Sequence, residues 1–292
     1  MSAETKVSEP ARQQRTGGSI ARTMLRGIGQ ILITLGVVVL LFVVYEVYVT
    51  DLFGQRKQAA ATQAIDQVWA SAEPATTDTV VVINSDQLVT DPRQRTPSYQ
   101  TTLGDGFAKL YVPSFGADYV FTVVEGTDPD DLYIGPGHYD GTQLPGQPGN
   151  FAVAGHRVSK GSPFNDLGLL ASCDAVVVET QDDWFVYRVL PMAEEVATWS
   201  ATQRAHCEGV GVQTGAYDGV FGREITLPAD YAQVLPIPHL DSTAVPADAQ
   251  RLITLTTCHP QFSDAQRMII HGVLVRSYSK SAGFLPPELG EG

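Results

Sequence analysis

The sequence predicts an all-β domain, a closed β-barrel or a sandwich with few short helices, preceded by one N-terminal transmembrane helix. Two observations carry that expectation. The first is a series of short β-branched and aromatic stretches, separated by Gly, Pro and Asp clusters, that begins near residue 107 and continues to 278. Many short strands with turn signals between them build barrels and sandwiches. The second is the stretch IGQILITLGVVVLLFVVYEVYV at 28–49, in which Gln30 and Glu46 are the only strongly polar side chains. As a helix it reaches about 33 Å, enough to cross a hydrocarbon core of about 30 Å.

Charge supports the membrane segment. Residues 1–27 hold Lys6, Arg12, Arg15, Arg22 and Arg26 against Glu4 and Glu9, so this stretch carries +3 and the rest of the chain −16 of the total −13. Only Arg56 and Lys57 follow the apolar stretch closely. The positive-inside rule then predicts a cytoplasmic N-terminus and an extracellular remainder. A cleaved signal peptide is the rival, with Ala59-Ala60-Ala61 as its cleavage region, but the apolar stretch is long for a signal core and runs into the polar TDLFGQRKQ. An acidic exterior repels phosphate backbones, which argues against nucleic-acid partners. With 43% hydrophobic and 17% charged residues in 292, the chain has the material for a full core.

The elements follow in order. Residues 1–27 form a basic cytoplasmic N-terminus, 28–49 the membrane helix, and 50–102 a stalk and linker. Helix-favouring composition covers 57–72. The stretch 73–102 is rich in Thr, Asp, Pro and Gln around one β-prone run, Val80 to Ile83. Strands are expected at 107–112, 120–124, 151–154, 175–179, 184–190, 252–256 and 268–278. The run GPGHYDGTQLPGQPGN at 135–150 holds five Gly and three Pro, too much punctuation for an element interior, and so predicts a structured loop. No GK[ST] follows it, which argues against a phosphate-binding loop. The best short helix is PFNDLGLL at 163–170. The main folded domain is set at 103–280, and the Pro/Gly/Glu-rich 281–292 is expected to be a flexible tail.

The chemistry concentrates on Cys258. It ends the β-prone run from Leu252 and is followed by His259 and Pro260. Proline ends a strand ladder, so the thiol is expected at a sheet rim. Arg267 opens the next strand nine residues on, and His156 lies upstream where FAVA gives way to a Gly/Ser loop. Cys, His and Arg at three strand ends supply a nucleophile, a proton carrier and a carbonyl or oxyanion clamp. Among the other histidines, His138 is expected to brace its loop. His259 is expected to point away from Cys258, since adjacent strand side chains diverge. His206, His239 and His271 read as ordinary surface or barrel residues. No Cys/His spacing matches a zinc site, the acidic turn Asp128-Asp130-Asp131 reads as solvated, and neither metal nor cofactor is expected.

The stretch TLTTC at 254–258, with Pro260, Ser263 and Arg267, resembles the TLxTC…R signature of sortases, the membrane-anchored cysteine transpeptidases of Gram-positive surfaces. GPGHYDGTQLPGQPGNFAVAGHR, followed by VVVET and WFVYRV, resembles the class E sortases of actinobacteria in particular. The likeness covers roughly 107–278. It implies a sortase β-barrel with Cys258 as nucleophile, His156 as general acid/base and Arg267 holding the substrate carbonyl or oxyanion. Thr257 is a substrate-binding candidate. The implied reaction cleaves an LPxTG-like or LAxTG-like sorting signal after Thr and passes the acyl group to an amine. The implied partners are secreted proteins with a C-terminal sorting signal and a peptidoglycan precursor. The class E likeness also implies a specificity-setting tyrosine, for which Tyr111, Tyr119, Tyr133 and Tyr139 are all candidates. With ordinary pKa values near 8.5 and 6.5, a thiolate–imidazolium pair is only about 1% populated near pH 7.5.

Cys173 and Cys207 form a possible disulfide outside the cell, closing a loop of about 35 residues worth roughly 4 kcal/mol in the chain-entropy model. Spacing alone leaves the pairing open. The roughly sixty residues 191–251 look expanded relative to the family pattern and contain little strand-like sequence. A papain-like extracellular cysteine protease and a non-catalytic membrane-tethered binding module are the alternative functions. The protease family places its Cys upstream of its His, the reverse of the order here.

Overall fold

The computed structural model describes residues 17–45, 50–71, 101–200, 204–281 and 283–292. Two compact units result, Met1–Glu46 and Val47–Gly292. In the first, one helix α1 runs over Gly17–Val44. Its segment Arg22–Val44 is long and apolar enough to cross a membrane, a candidate anchor that begins and ends somewhat earlier than the stretch expected from sequence. Leu32, Leu40 and Phe42 are exposed along it, as lipid-facing side chains are.

The second unit is built on nine strands among the described residues: β1 Gly106–Tyr111, β2 Val120–Glu125, β3 Gly137–His138, β4 Gly149–Ala154, β5 Ala175–Glu179, β6 Asp183–Val189, β7 Arg223–Thr226, β8 Arg251–His259 and β9 Gln266–Ser279. Their order is β6-β5-β1-β2-β3-β4-β8-β9, and β9 pairs back onto β6, so eight strands close a barrel. Closure leaves no long unpaired edge. The seven expected strands are all present. The two additions, β3 and β7, are the shortest, two and four residues. β7 lies outside the ring on the first half of β9, with Arg223 opposite Ile270 and Thr226 opposite Arg267.

Inward side chains such as Leu110, Val123, Phe151, Val178, Tyr187 and Leu255 form the barrel core. The continuous apolar texture of β5 has a separate cause. Val176 and Val178 face that core, while Ala175 and Val177 join Trp184 and Val186 in a second cluster on the outer face. Phe284 and Leu289 from the C-terminal segment cover this cluster. The tail is therefore docked, not flexible. Glu291 grips Arg188 (Oε1 2.8 Å from Nη2), and the buried Glu288 accepts from the Tyr278 hydroxyl at 3.0 Å. Its composition gave no hint of that partner surface.

Residues 50–71 are also more than a stalk. Helix α2, Thr50–Ser71, packs against β1 and β2. The Gln58 amide bonds both edges of a gap, accepting from Thr122 N and donating to Thr122 O and Ile134 O (3.1 and 3.0 Å). Asp66 pairs with Lys109, and Ile65 is buried. The β-prone run 80–83 and most of the expected linker lie outside the described residues. At 163–170 only a 3-10 turn forms, at Leu167–Leu169. Phe164, Leu167 and Leu170 are all fully buried, and their three-residue spacing suits the 3-10 repeat better than the α-helical one.

The 191–250 region lies against the barrel's outer face through three devices. Cys173 and Cys207 form a disulfide with Cα atoms 5.1 Å apart. Tyr217, Val220 and Ile237 pack on Leu252 and Leu190. A polar network joins β4, β8 and β9 to the segment: Thr254 Oγ1 contacts Asn150 Oδ1 at 2.8 Å and His271 Nδ1 at 2.9 Å, and His271 Nε2 meets Gln233 Oε1 at 3.1 Å, while within the segment His239 Nε2 meets Glu224 Oε1 at 3.1 Å. His271, expected to be ordinary, is the fully buried hub.

Removing the disulfide as Cys173→Ser with Cys207→Ser is expected to cost about 2–4 kcal/mol, read from urea unfolding; an unchanged midpoint would show that the region is held by packing alone. Burial, with repulsion from His239 second, pushes the His271 pKa from 6.5 down to about 3. The unfolded chain therefore takes up a proton that the folded chain refuses. The stability from this group is complete above pH 6.5 and declines as pH falls towards 3. Urea midpoints are expected to drop over that window, and His271→Gln to flatten the decline. Equal slopes in the two chains would remove His271 as its source.

Candidate active site

The register of three adjacent strands builds the site. In the antiparallel pair β8–β9, Cys258 stands directly opposite Arg267. Directly opposed residues project from the same face, so thiol and guanidinium emerge together. On the other side of β8 lies β4, parallel to it, with Ala154 opposite Thr256. Two residues further along each strand are His156 and Cys258. The pairing continues past the formal end of β4: Gly155 N donates to Thr256 O at 3.0 Å, and Thr257 Oγ1 donates to Gly155 O at 2.7 Å. Pro260, lacking an N–H, then stops the ladder. All three residues expected from sequence thus arrive at one barrel rim.

Each has distinct surroundings. Cys258 is the free cysteine and is half-buried. Gly155 makes the entry of His156 possible, because a Cβ there would lie 2.5 Å from the buried Phe164 ring. The His156 Nε2 is buried and has no hydrogen-bond partner among the described residues. Burial, aided by the nearby Lys160 charge, lowers its pKa from 6.5 to about 4. The imidazole is therefore neutral at pH 7. Arg267 Nη1 donates to Asp264 O at 2.9 Å and Gln266 O at 3.0 Å, which anchors one arm of the fork on its own loop.

Thr257 departs from the expectation of a substrate contact. It is buried, and its hydroxyl is committed to Gly155. Its role is to tie the His156 strand to the Cys258 strand. The neighbouring Thr256, on the Cys258 face of β8, instead meets the Tyr139 hydroxyl at 2.8 Å. Of the four candidate tyrosines, Tyr139 is thus the one at the site. Burial raises its pKa, while the Thr256 hydrogen bond and the Arg267 charge oppose that rise. Tyr111 bonds Glu179, Tyr119 bonds Pro163 O, and Tyr133 lies under Lys57 and Lys160. His138 braces its loop as expected, with Nδ1 3.0 Å from Glu125 and Nε2 2.8 Å from Thr142.

Sequence reasoning passed over Arg157. Its Nη1 lies 2.8 Å from His259 Nδ1 and 3.4 Å from Cys258 O, so it clamps the end of β8 from the β4 side. Its position directly after His156 was the available signal. His259 is held by Arg157 and so is turned to a structural task.

The sortase domain family matches residues 110–275, and the chain belongs to the sortase family. Among solved structures, the SrtF sortase from Corynebacterium diphtheriae is 45% identical, with a TM-score of 0.60, and the match covers 69% of this chain and 98% of that one. Sortase SrtE1 of Streptomyces coelicolor is 29% identical over 94% of this chain, which spans 63% of that relative's length. Sortase SrtE2 of the same organism is 25% identical over 95% of this chain and 92% of its own. The likeness to these E-type relatives supports a class E sortase.

His156 is expected to titrate near 4 in an NMR titration of labelled histidines, assigned with His156→Gln, and Lys160→Ala to move that midpoint upward. A parent midpoint at 6.5 would mean that the imidazole is solvated.

Proposed function

We propose that this chain is a membrane-anchored cysteine transpeptidase in which Cys258, His156 and Arg267 act together. The observation that carries the reading is the shared rim. The nucleophile faces Arg267 across one ladder, and an imidazole whose Nε2 has no hydrogen-bond partner among the described residues arrives along the other. A buried nitrogen without a partner is costly in a resting protein. It is well suited to a proton that appears only during reaction.

The Cys258 Sγ attacks the carbonyl carbon of the sorting-signal Thr as its proton passes to His156. Negative charge collects on the former carbonyl oxygen, where the Arg267 N–H groups outside its loop anchor stabilise it. The C–N bond breaks, the departing amine takes the proton from His156, and a thioester with Cys258 remains. An acceptor amine then attacks the thioester, gives its proton to His156, and leaves as the new amide while Cys258 recovers the proton. The substrate class is a secreted protein with an LPxTG-like or LAxTG-like C-terminal signal, and the acceptor is an amine of a peptidoglycan precursor. Tyr139 and Thr256, beside Cys258, lie where they would border the bound signal. The +3 of residues 1–27 supports a cytoplasmic N-terminus with the barrel outside.

The test is a sorting peptide incubated with and without an amine acceptor. The parent chain is expected to give an amide product only when the amine is present. Cys258→Ala is expected to give neither thioester nor amide by mass spectrometry. Turnover by that variant refutes the nucleophile, and release of acid alone in excess amine refutes transpeptidation.

A further inference from the structure

The loop that follows His156 adopts a conformation its own residues resist. Ser159, Lys160, Gly161 and Ser162 all have positive φ, at 60, 53, 82 and 43°. Glycine accepts this region freely. In the other three, Cβ crowds the backbone carbonyl, and such residues occur there singly, not in runs. Within the turn, Ser162 bonds Ser159 O, by N at 2.9 Å and by Oγ at 3.1 Å. Strain of this kind persists where the surroundings enforce it.

The enforcing surface is α2. Asp51 Oδ1 accepts from Gly161 N at 3.0 Å. One turn on, Gly54 is buried against the loop, and a Cβ at Gly54 would lie 2.6 Å from Lys160 C and 2.9 Å from Gly161 N. Glycine is unfavourable inside a helix, where alanine is preferred. Its presence at position 54 answers to the loop, not to the helix. Lys57 and Lys160 both approach the Tyr133 ring, at 4.3 and 5.8 Å, which places the Lys160 ammonium as well. At the far end, Phe164 N donates to His156 O at 3.0 Å and closes the loop back on the histidine.

We propose that α2 is a splint for the loop that carries His156, with Asp51 and Gly54 as positioning residues that hold the left-handed turn at 159–162. The inference rests on the reading of His156 as proton carrier. It assigns a catalytic task to the segment that joins the apolar helix to the barrel.

The test uses the full chain in detergent micelles with the sorting-peptide assay. Gly54→Ala is expected to lower kcat about tenfold or more with KM nearly unchanged, since small misplacement of a reacting group is costly. The same variant is expected to lose amide-exchange protection over 156–163. Helix propensity alone predicts the opposite, a more stable and fully active chain. Asp51→Ala, a change outside the core, is expected to act in the same direction as Gly54→Ala, and Asp51→Asn to restore activity through its amide oxygen. Parent-like kcat and exchange in Gly54→Ala overturn the splint, as does equal loss in Asp51→Asn and Asp51→Ala. The underlying reading fails separately, if His156→Gln retains turnover while the exchange results still follow α2.

Discussion

The parallel pairing of β4 with β8, set beside the antiparallel pairing of β8 with β9, is the constraint on which the site depends. It brings a histidine, a cysteine and an arginine from distant parts of the chain to one level of one rim. A slip of one residue in either ladder would turn a side chain to the opposite face. Several contacts outside the ladders guard the register. Thr257 ties β8 to Gly155, Arg157 ties the loop after β4 to the end of β8, and Asn150, Thr254 and His271 join all three strands lower down. The polar side chains on these strands do structural work that apolar ones could not, because each satisfies a specific partner in a particular register.

The barrel is small, and much of its outer surface is covered. The C-terminal segment covers β5 and β6, the 191–250 region covers β8 and β9, and α2 covers β1 and β2. These coverings explain why several strands lack the alternation of a one-sided sheet. They also leave the rim at Cys258 as the place where the proposed catalytic side chains approach solvent.

Much of this was legible in the sequence for local reasons. Strand periodicity, the Pro260 stop and the apolar stretch before residue 50 are properties of neighbouring residues. Accordingly the seven strands, the rim position of Cys258 and one long apolar helix could be read directly. Cys258, His156 and Arg267 could be read as a set from their places at strand ends, and the resemblance around TLTTC and GNFAVAGHR implied the role of each. The buried, Gly155-directed hydroxyl of Thr257 was not legible, because adjacency to Cys258 says nothing about direction: alternate strand residues face opposite ways. Arg157 was overlooked for the converse reason, since its partner His259 lies 102 residues away.

The sequence by itself determined the barrel's material, the apolar helix and the set of residues proposed to react, because composition, periodicity and motif spacing are carried by the chain at short range. Only the tertiary structure decided which cysteines pair, that the tail docks, that burial lowers the His156 pKa, and that α2 bears on the loop beside it. Those outcomes depend on burial and register summed over contacts between residues far apart in sequence. No local pattern encodes such sums.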